Sequence, residues 1–204
     1  MTAPTDSGVS PDALHAQSYF ENGLTPTQAA RRYISLGLAV IPIPTGKKAP
    51  TIKAWQTLVI GLDEVERYFP DGKAMNQGLR LGETRLVDVD LDAPETVALA
   101  PHFLPPTPAI FGRAAKPRSH FIYYVGDPQR TVQFRDPDGV TLVELRGDGG
   151  QTVVPPSIHP SGERVEWHSA GEPAESTWAD LLIRVSWLAA AALLTRYLDG
   201  GRPP

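Results

Sequence analysis

Three aspartates, Asp88, Asp90 and Asp92, alternate with Val87, Val89 and Leu91. In a β-strand successive side chains point to opposite faces, so this spacing puts the carboxylates on one face and the apolar residues on the other. Neighbouring carboxylates on such a face lie roughly 7 Å apart. At an effective dielectric of about 20, each adjacent pair repels by about 2 kcal/mol. A divalent cation relieves that repulsion, and Mg²⁺ or Mn²⁺ prefers such oxygen ligands. The competing reading is a strand end that runs out into water, where the charges are harmless. Spacing alone weighs the two evenly.

Glu144 follows Val140 and Leu142 on one face of a later expected strand. A lone acid there is ordinarily solvated or ion-paired. Beside the aspartate strand it would complete a three-carboxylate site of Asp88, Asp90 and Glu144. Two metals held there could bridge an attacking hydroxyl and a triphosphate.

Positive groups come from other segments. Arg113, Lys116, Arg118 and Ser119 surround His120 in sequence, on what reads as a Gly/Pro-containing loop before Phe121-Ile122-Tyr123-Tyr124. Cations and donors so grouped suit the oxygens of a nucleoside triphosphate. A solvated basic loop is the ordinary alternative. Ser157 and His159 follow Pro155-Pro156, whose fixed φ stiffens the segment. Rigid hydroxyl and imidazole groups suit a phosphate or a sugar hydroxyl, although a turn with capping side chains explains the same residues. Ser157 lacks the G-x-S-x-G elbow of a hydrolase nucleophile.

Thr45-Gly46-Lys47-Lys48 is not a P-loop: Ile41 stands where the upstream glycine is required, and Lys48 replaces the Ser/Thr. Arg146-Gly147-Asp148 reads as part of a hairpin turn. Lys47, Lys48 and Lys53, with Trp55 nearby, could contact a nucleic-acid backbone and stack a base. A solvated loop with a core tryptophan is the plainer reading.

These segments need a scaffold, and 204 residues suffice for one medium domain or two small lobes sharing a core. The chain has no cysteine, which removes disulfides, thiolate zinc sites and a cysteine nucleophile. A net charge of −4 restricts nucleic-acid contact to a local basic groove. There is no apolar signal core, and the most apolar run, Trp187 to Leu194, is too short to span a bilayer. A soluble, cytoplasmic protein is expected.

Residues 1 to about 20 read as a loose leader. Thr25-Pro26-Thr27-Gln28 is a capping box with proline at the first helical position, and the helix stops at Gly37. Leu38–Ile43 reads as a buried strand, Asp63 opens a short helix, and Gly78–Leu81 is a brief strand. Thr84–Asp92 carries the aspartates. Pro94 starts a helix ending before Pro101, and Pro105–Ile110 is a proline-rich connector. Phe121–Val125, Val140–Leu145, Gln151–Val154 and Arg164–Trp167 read as antiparallel strands. Thr177–Leu198 is a long helix, and 200–204 reads as a linker. The catalytic domain is thus expected over 21–199.

Together these segments resemble the primase-polymerase (Prim-Pol) domain of the archaeo-eukaryotic primase superfamily, particularly the versions in phage and plasmid replication proteins. The resemblance covers roughly residues 25 to 198. Leu86-Val87-Asp88-Val89-Asp90 is similar to the first family motif, which implies metal-binding roles for Asp88 and Asp90. The same resemblance admits Asp92 as an alternate or supporting ligand, since the register can be argued two residues later. Arg118-Ser119-His120 is similar to the second motif, whose histidine contacts the incoming nucleotide. The family more often has serine where Arg118 stands. Val143-Glu144 is similar to the third motif, with glutamate in place of the commoner aspartate as metal ligand. Gly147 to His159 resembles the glycine-rich hairpin and Pro-Pro-Ser-x-His stretch at the nucleotide site.

The resemblance implies an α+β fold, with an RRM-like sheet and an N-terminal αβ unit flanking a catalytic cleft. It implies template-dependent primer synthesis and extension on single-stranded DNA, with Mg²⁺ or Mn²⁺ as cofactor, and a possible helicase domain or protein as partner. Lys116, Arg118, Ser119, Ser157 and His159 would then help hold the nucleotide. Two other readings of the same residues stay open: a two-metal nuclease or phosphohydrolase, and a non-catalytic origin- or nucleotide-binding module.

Overall fold

The computed structural model describes residues 19–198. The expected linker at 200–204 and residues 1–18 of the expected leader lie outside the described residues. Tyr19 and Phe20, read as the end of that leader, belong to the folded domain. Phe20 is fully buried and its ring stacks on Trp167 at 4.1 Å.

The capping box forms as its residue types dictate. Gln28 N–H donates to the Thr25 hydroxyl, and Thr25 N–H donates back to the Gln28 side chain, opening helix α1 (Pro26–Ser35). Proline occupies the first turn, where no N–H is needed. After α1 the chain reverses at Gly37, whose φ of +77° suits glycine. It then enters β1 (Val40–Ile43). This strand pairs antiparallel with β2 (Asn76–Arg80), which pairs antiparallel with β8 (Gln151–Val154). The long connection between β1 and β2 holds a 3-10 turn at Trp55–Thr57 and the short helix α2 (Val65–Tyr68). Trp55 is half-buried and belongs to neither core cluster, contrary to the core position expected for it.

A second, eight-stranded sheet carries the acidic segments, a larger platform than the four strands of an RRM sheet. Its members are β3 (Leu86–Leu91), β4 (Ala109–Arg113), β5 (Lys116–Val125), β6 (Val132–Arg135), β7 (Thr141–Arg146), β9 (Ser157–Ile158), β10 (Arg164–Ala170) and β11 (Ala174–Ser176). They run in the order β6-β7-β3-β5-β4-β10-β9, with β11 parallel to β5 and the other pairings antiparallel. Helices α3 (Pro94–Phe103) and α4 (Trp178–Leu198) cover one face. The fold class is therefore α+β, as expected.

Strand alternation divides the core. Val87, Val89 and Leu91 point towards α3 and α4, packing with Tyr123, Leu145, Leu181 and Val185. Leu86 and Ile122 point the other way, towards α1, β2 and Trp167. Burying one such aliphatic side chain contributes roughly 1.5–3 kcal/mol, so β3 is held in register by both clusters. Asp88 and Asp90 share the second face and sit at its open end.

Several elements differ from the sequence reading. Lys116–His120 is the first half of strand β5 rather than a loop. Its partner β4 occupies the end of what reads as a proline connector. Between Phe111↔His120 and Arg113↔Lys116 the pairing slips, leaving Pro117–Ser119 opposite Gly112 alone. A Cβ on Gly112 would lie 2.2 Å from the Lys116 carbonyl, so glycine permits this bulge. Helix α3 runs on through Pro101 to Phe103, because a proline in the last turns removes only one intrahelical bond. Strand β7 starts at Thr141, leaving Val140 exposed. The pairing of β6 with β7 slips between Phe134 and Arg135, and Leu142 joins the helix-side core rather than the face of Glu144. Helix α4 is long and apolar enough to cross a bilayer by length and composition, unlike the shorter run noticed in sequence. Here its Leu181, Val185, Leu188 and Ala192 are buried against the sheet and α3.

Candidate active site

The registers of five neighbouring strand pairs build one row across the large sheet. Gln133 pairs with Glu144, Glu144 with Asp90, Asp90 with His120, His120 with Phe111, and Phe111 with Trp167. Directly paired residues share a face. Acids from β3 and β7 and a histidine from β5 therefore meet, although up to 54 residues separate Asp90 from Glu144 in sequence.

The aromatic end of the row braces the histidine. The His120 ring lies parallel to Phe111 with centroids 4.4 Å apart, and Phe111 meets Trp167 edge-on at 5.1 Å. Asp88, fully buried, fixes the ring from below. Its Oδ2 and Oδ1 lie 3.0 and 3.3 Å from Nδ1 of His120, and Asp90 Oδ1 lies 3.6 Å away. Burial opposes protonation of His120, but the Asp90 and Asp88 carboxylates outweigh it and hold the pKa above the ordinary histidine value. Nδ1 then donates to Asp88, which leaves the Nε2 edge of the ring for other partners.

The acidic end is cross-linked by an arginine. Arg146 donates from Nη2 to Asp90 Oδ2 at 2.7 Å and from Nε to Glu144 Oε2 at 2.6 Å. Gln133 donates to the other Glu144 oxygen. Asp92 stands apart, more exposed, its N–H donating to Leu142 O at 2.9 Å but its carboxylate without a hydrogen bond among the described residues. Burial first, then the Asp90 charge, pushes its carboxyl up to about 6. Carboxylate oxygens of Asp90, Asp92 and Glu144 all lie within 4.8 Å of one another. That spacing and all-oxygen donor set suit a hard divalent cation.

A cavity of about 220 Å³ opens over this row, with Asp90, Asp92, His120 and Arg146 on one side. Lys116, Arg113, Ser119 and His159 line another side, and Lys47, Lys48 and Gln151 close it from the small sheet. The two sides differ in potential. Burial, then the charges of Lys48 and Arg113, keep the His159 pKa below its ordinary value. Ser161 turns both its hydroxyl oxygen, at 2.7 Å, and its backbone N–H, at 3.1 Å, to Nδ1, which leaves the Nε2 edge of the ring facing away from this turn. Burial lowers the Lys116 ammonium, although Asp90 and Asp92 pull it the other way. Arg113 is held by Glu163, whose carboxyl is lowered to about 2 by bonds from the Ser161 hydroxyl, Ala115 N–H and Arg113.

The sequence-level candidates are thus distributed as follows. Asp90, His120, Lys116, Ser119 and His159 line one cavity. Glu144 is one strand away, joined to Asp90 through Arg146. Asp88 has both oxygens towards His120, and Asp92 takes its place in the carboxylate cluster. Arg118 is half-buried and does not line the cavity. Ser157 is not a cavity group either. Its buried hydroxyl donates to Val154 O at 2.6 Å and accepts from Gln77 N–H at 3.0 Å, stitching the two sheets together. Sequence reasoning missed Arg146, which could have been found two residues beyond Glu144 on the same strand face. It also left Lys47 and Lys48 outside the site, because nothing local says that their loop folds over β3.

No curated protein matches this chain at a significant level. The family described as "bifunctional DNA primase/polymerase, N-terminal" matches residues 30–178, which contain every cavity residue named above. Such a domain implies DNA and nucleotide substrates, and these enzymes generally use divalent metals. With an acid cluster of metal-like spacing facing a basic wall, and that match over most of its length, the chain belongs to the Prim-Pol family.

Proposed function

We propose that this domain synthesises primers on single-stranded DNA and extends them from nucleoside triphosphates. The observation that carries the reading is the polarised cavity, with Asp90 and Asp92 on one side, Glu144 clustered with them from the next strand, and Lys116, Lys48 and His159 on another side. A nuclease needs the same acids and spreads its cations along the phosphates of a strand, whereas Lys48, Lys116 and His159 are gathered around one cavity, which favours the clustered charge of a triphosphate.

In this reading Asp90, Asp92 and Glu144 hold the cation, and Asp88 positions His120 rather than touching the ion. Bound there, Mg²⁺ or Mn²⁺ supplies positive charge that lowers the pKa of a 3′-hydroxyl and offsets charge on departing pyrophosphate. His120 presents Nε2 to the triphosphate, its charge maintained by Asp88 and Asp90. Lys116 and Ser119 orient phosphate oxygens from the β5 bulge, while His159 meets phosphate or sugar through its Nε2 edge. The 3′-oxygen bonds to the α-phosphorus as the bond to the bridging oxygen breaks. The same reading places the protein in a bacterial or phage-infected cytoplasm, working beside a replicative helicase.

The test is a primer-synthesis assay on unprimed single-stranded DNA, with Mg²⁺ or Mn²⁺ and each nucleotide type. Metal-dependent products that disappear with Asp90→Ala support the proposal. Labelled DNA degraded without nucleotides would point to the nuclease reading instead. Template binding with no incorporation under either metal would point to a non-catalytic module.

A further inference from the structure

Glu163 stands behind the cavity, in the turn between β9 and β10, and does not line it. Its one carboxylate nevertheless meets three partners on two segments. Oε1 accepts from Ala115 N–H at 2.7 Å, and Oε2 accepts from Arg113 and, at 2.7 Å, from the Ser161 hydroxyl. Arg113 and Ala115 belong to the tip of the β4–β5 hairpin, which leads straight into Lys116. The Ser161 hydroxyl oxygen in turn lies 2.7 Å from Nδ1 of His159. Glu163 thus stands between two cavity residues that come from separate turns, Lys116 and His159.

Both turns are poorly held by the sheet itself. The β4–β5 ladder is interrupted just before its tip, where the pairing slips between Phe111 and Arg113 and Pro117 brings no N–H. Beyond the bulge, among the described residues, only Arg113↔Lys116 continues the pairing of these two strands. Strand β9 is two residues long and pairs with β10 at Arg164 and Val165, so His159 already lies past its end. His159 N–H donates to Glu163 O at 2.8 Å, and Gly162 N–H donates to His159 O at 2.8 Å. These bonds close the turn but leave the imidazole its rotamers. The Glu163 carboxylate supplies the restraint that the ladders lack, and it does so on both turns at once.

We propose that Glu163 is a positioning residue for the incoming nucleotide: its carboxylate clips the β4–β5 tip to the β9–β10 turn and so fixes Lys116 and His159 relative to each other. The inference rests on the nucleotide-holding roles proposed above for those two residues, and it adds a group that never touches substrate. Donors held in place beforehand lose less freedom when the ligand arrives. Neutralising Arg113 would need charge alone. Two of the three partners, Ala115 N–H and the Ser161 hydroxyl, are neutral donors, which points to geometry instead.

The test compares Glu163→Gln, Glu163→Asp and Ser161→Ala with the wild type in steady-state extension, in calorimetric nucleotide binding in Mg²⁺, and in an NMR titration of the His159 ring. Ser161 is exposed, so Ser161→Ala should melt like the wild type. Glu163→Gln should raise the nucleotide KM about 10-fold, matched by the calorimetric Kd, with kcat little changed. Ser161→Ala, which cuts only the His159 arm, should raise both by about 2- to 10-fold. Glu163→Gln should also shift the His159 titration downward, because it removes the negative charge that opposes Lys48, Arg113 and Lys116 around that ring. Glu163→Asp keeps the charge but is one methylene short, so His159 should titrate near its wild-type value while KM stays raised. Unchanged KM and Kd in Glu163→Gln and Ser161→Ala overturn the clip. So does a fall in KM, the result if Arg113 were merely withheld from substrate, or full recovery of KM in Glu163→Asp. None of these touches the polymerase reading. A wild type that polymerises nothing overturns that reading, while the calorimetric comparison still decides the clip, and a wild type that binds no nucleotide overturns both.

Discussion

The two sides of the cavity are held in different ways. On the large sheet the charged groups grip one another: Asp88 holds His120, Arg146 joins Asp90 to Glu144, and Gln133 takes the remaining Glu144 oxygen. On the small sheet Lys47 and Lys48 make no ion pair among the described residues, and their backbone is fixed through Asn76 and Gln151. A floor of pre-paired charge keeps its geometry without ligand and must trade partners to admit a cation. A wall of unpaired charge has nothing to trade and waits on its substrate. One side is organised for chemistry and the other for capture, so substitutions should affect kcat on the first and KM on the second.

The sharpest way to break that contrast is at Asp90, which touches both the cluster and His120. Asp90→Ala should reduce extension by about 10²–10³-fold, read as kcat. A change confined to KM would erase the distinction between the sides. Next comes Arg146. Arg146→Met leaves Asp90 and Glu144 repelling each other, so the metal-free protein should lose about 1–3 kcal/mol of stability in denaturant melts. Saturating Mn²⁺ should recover much of it, because ligands of the folded state stabilise by mass action. An unshifted melt would show that the arginine is not the internal counter-charge.

Asp88 and Asp92 can be separated by what each asparagine variant loses. Asp92→Asn should weaken Mn²⁺ binding by about 10- to 100-fold, while Asp88→Asn should spare Mn²⁺ affinity and shift the His120 titration downward. The reverse pattern would restore Asp88 to the metal site.

The smallest effect is in pH. Burial, then the Asp90 charge, pushes the folded-state Asp92 carboxyl up to about 6 from an ordinary 3.8, so its protonated form favours folding, and that contribution, full below 3.8, is lost as pH rises through 6. His120, raised above 6.5, contributes stability fully present below 6.5 and lost as pH climbs past its folded value. The metal-free melting temperature should therefore fall as pH rises from about 4 through 6 with Asp92, and further above 6.5 with His120, whereas Mn²⁺ affinity should rise from about pH 4 to about 6 as Asp92 gives up its proton and then level off. Opposite slopes in the two titrations are the expected outcome, and parallel slopes would contradict it.

Much of this could be read from the chain alone. Thr25 and Gln28 announce α1 because a capping box is local chemistry. The β3 alternation announces an acidic face because pleating is local too. What stayed hidden depends on neighbours. Asp88 and Asp92 share a face, and only the β5 register decides that Asp88 meets His120. Lys116–Ser119 looks like a loop because it contains Pro117, yet it pairs as a bulge that Gly112 makes possible. Ser157 looks like a phosphate or sugar ligand because it follows Pro155-Pro156 and precedes His159, and only tertiary packing turns its hydroxyl inward to Gln77 and Val154. The lysine loop is a full strand-and-connection away from the aspartates, and no spacing rule links them.

Phe20 lies flat on Trp167, Trp167 abuts Phe111, and Phe111 backs His120. Four rings thus carry support from the residues preceding α1 to the imidazole. Trimming the chain back to the Thr25 cap would keep every carboxylate and lysine in the site, yet remove the outermost ring of that pile. Where an experimenter chooses to begin the polypeptide is accordingly a setting on how firmly the histidine is aimed.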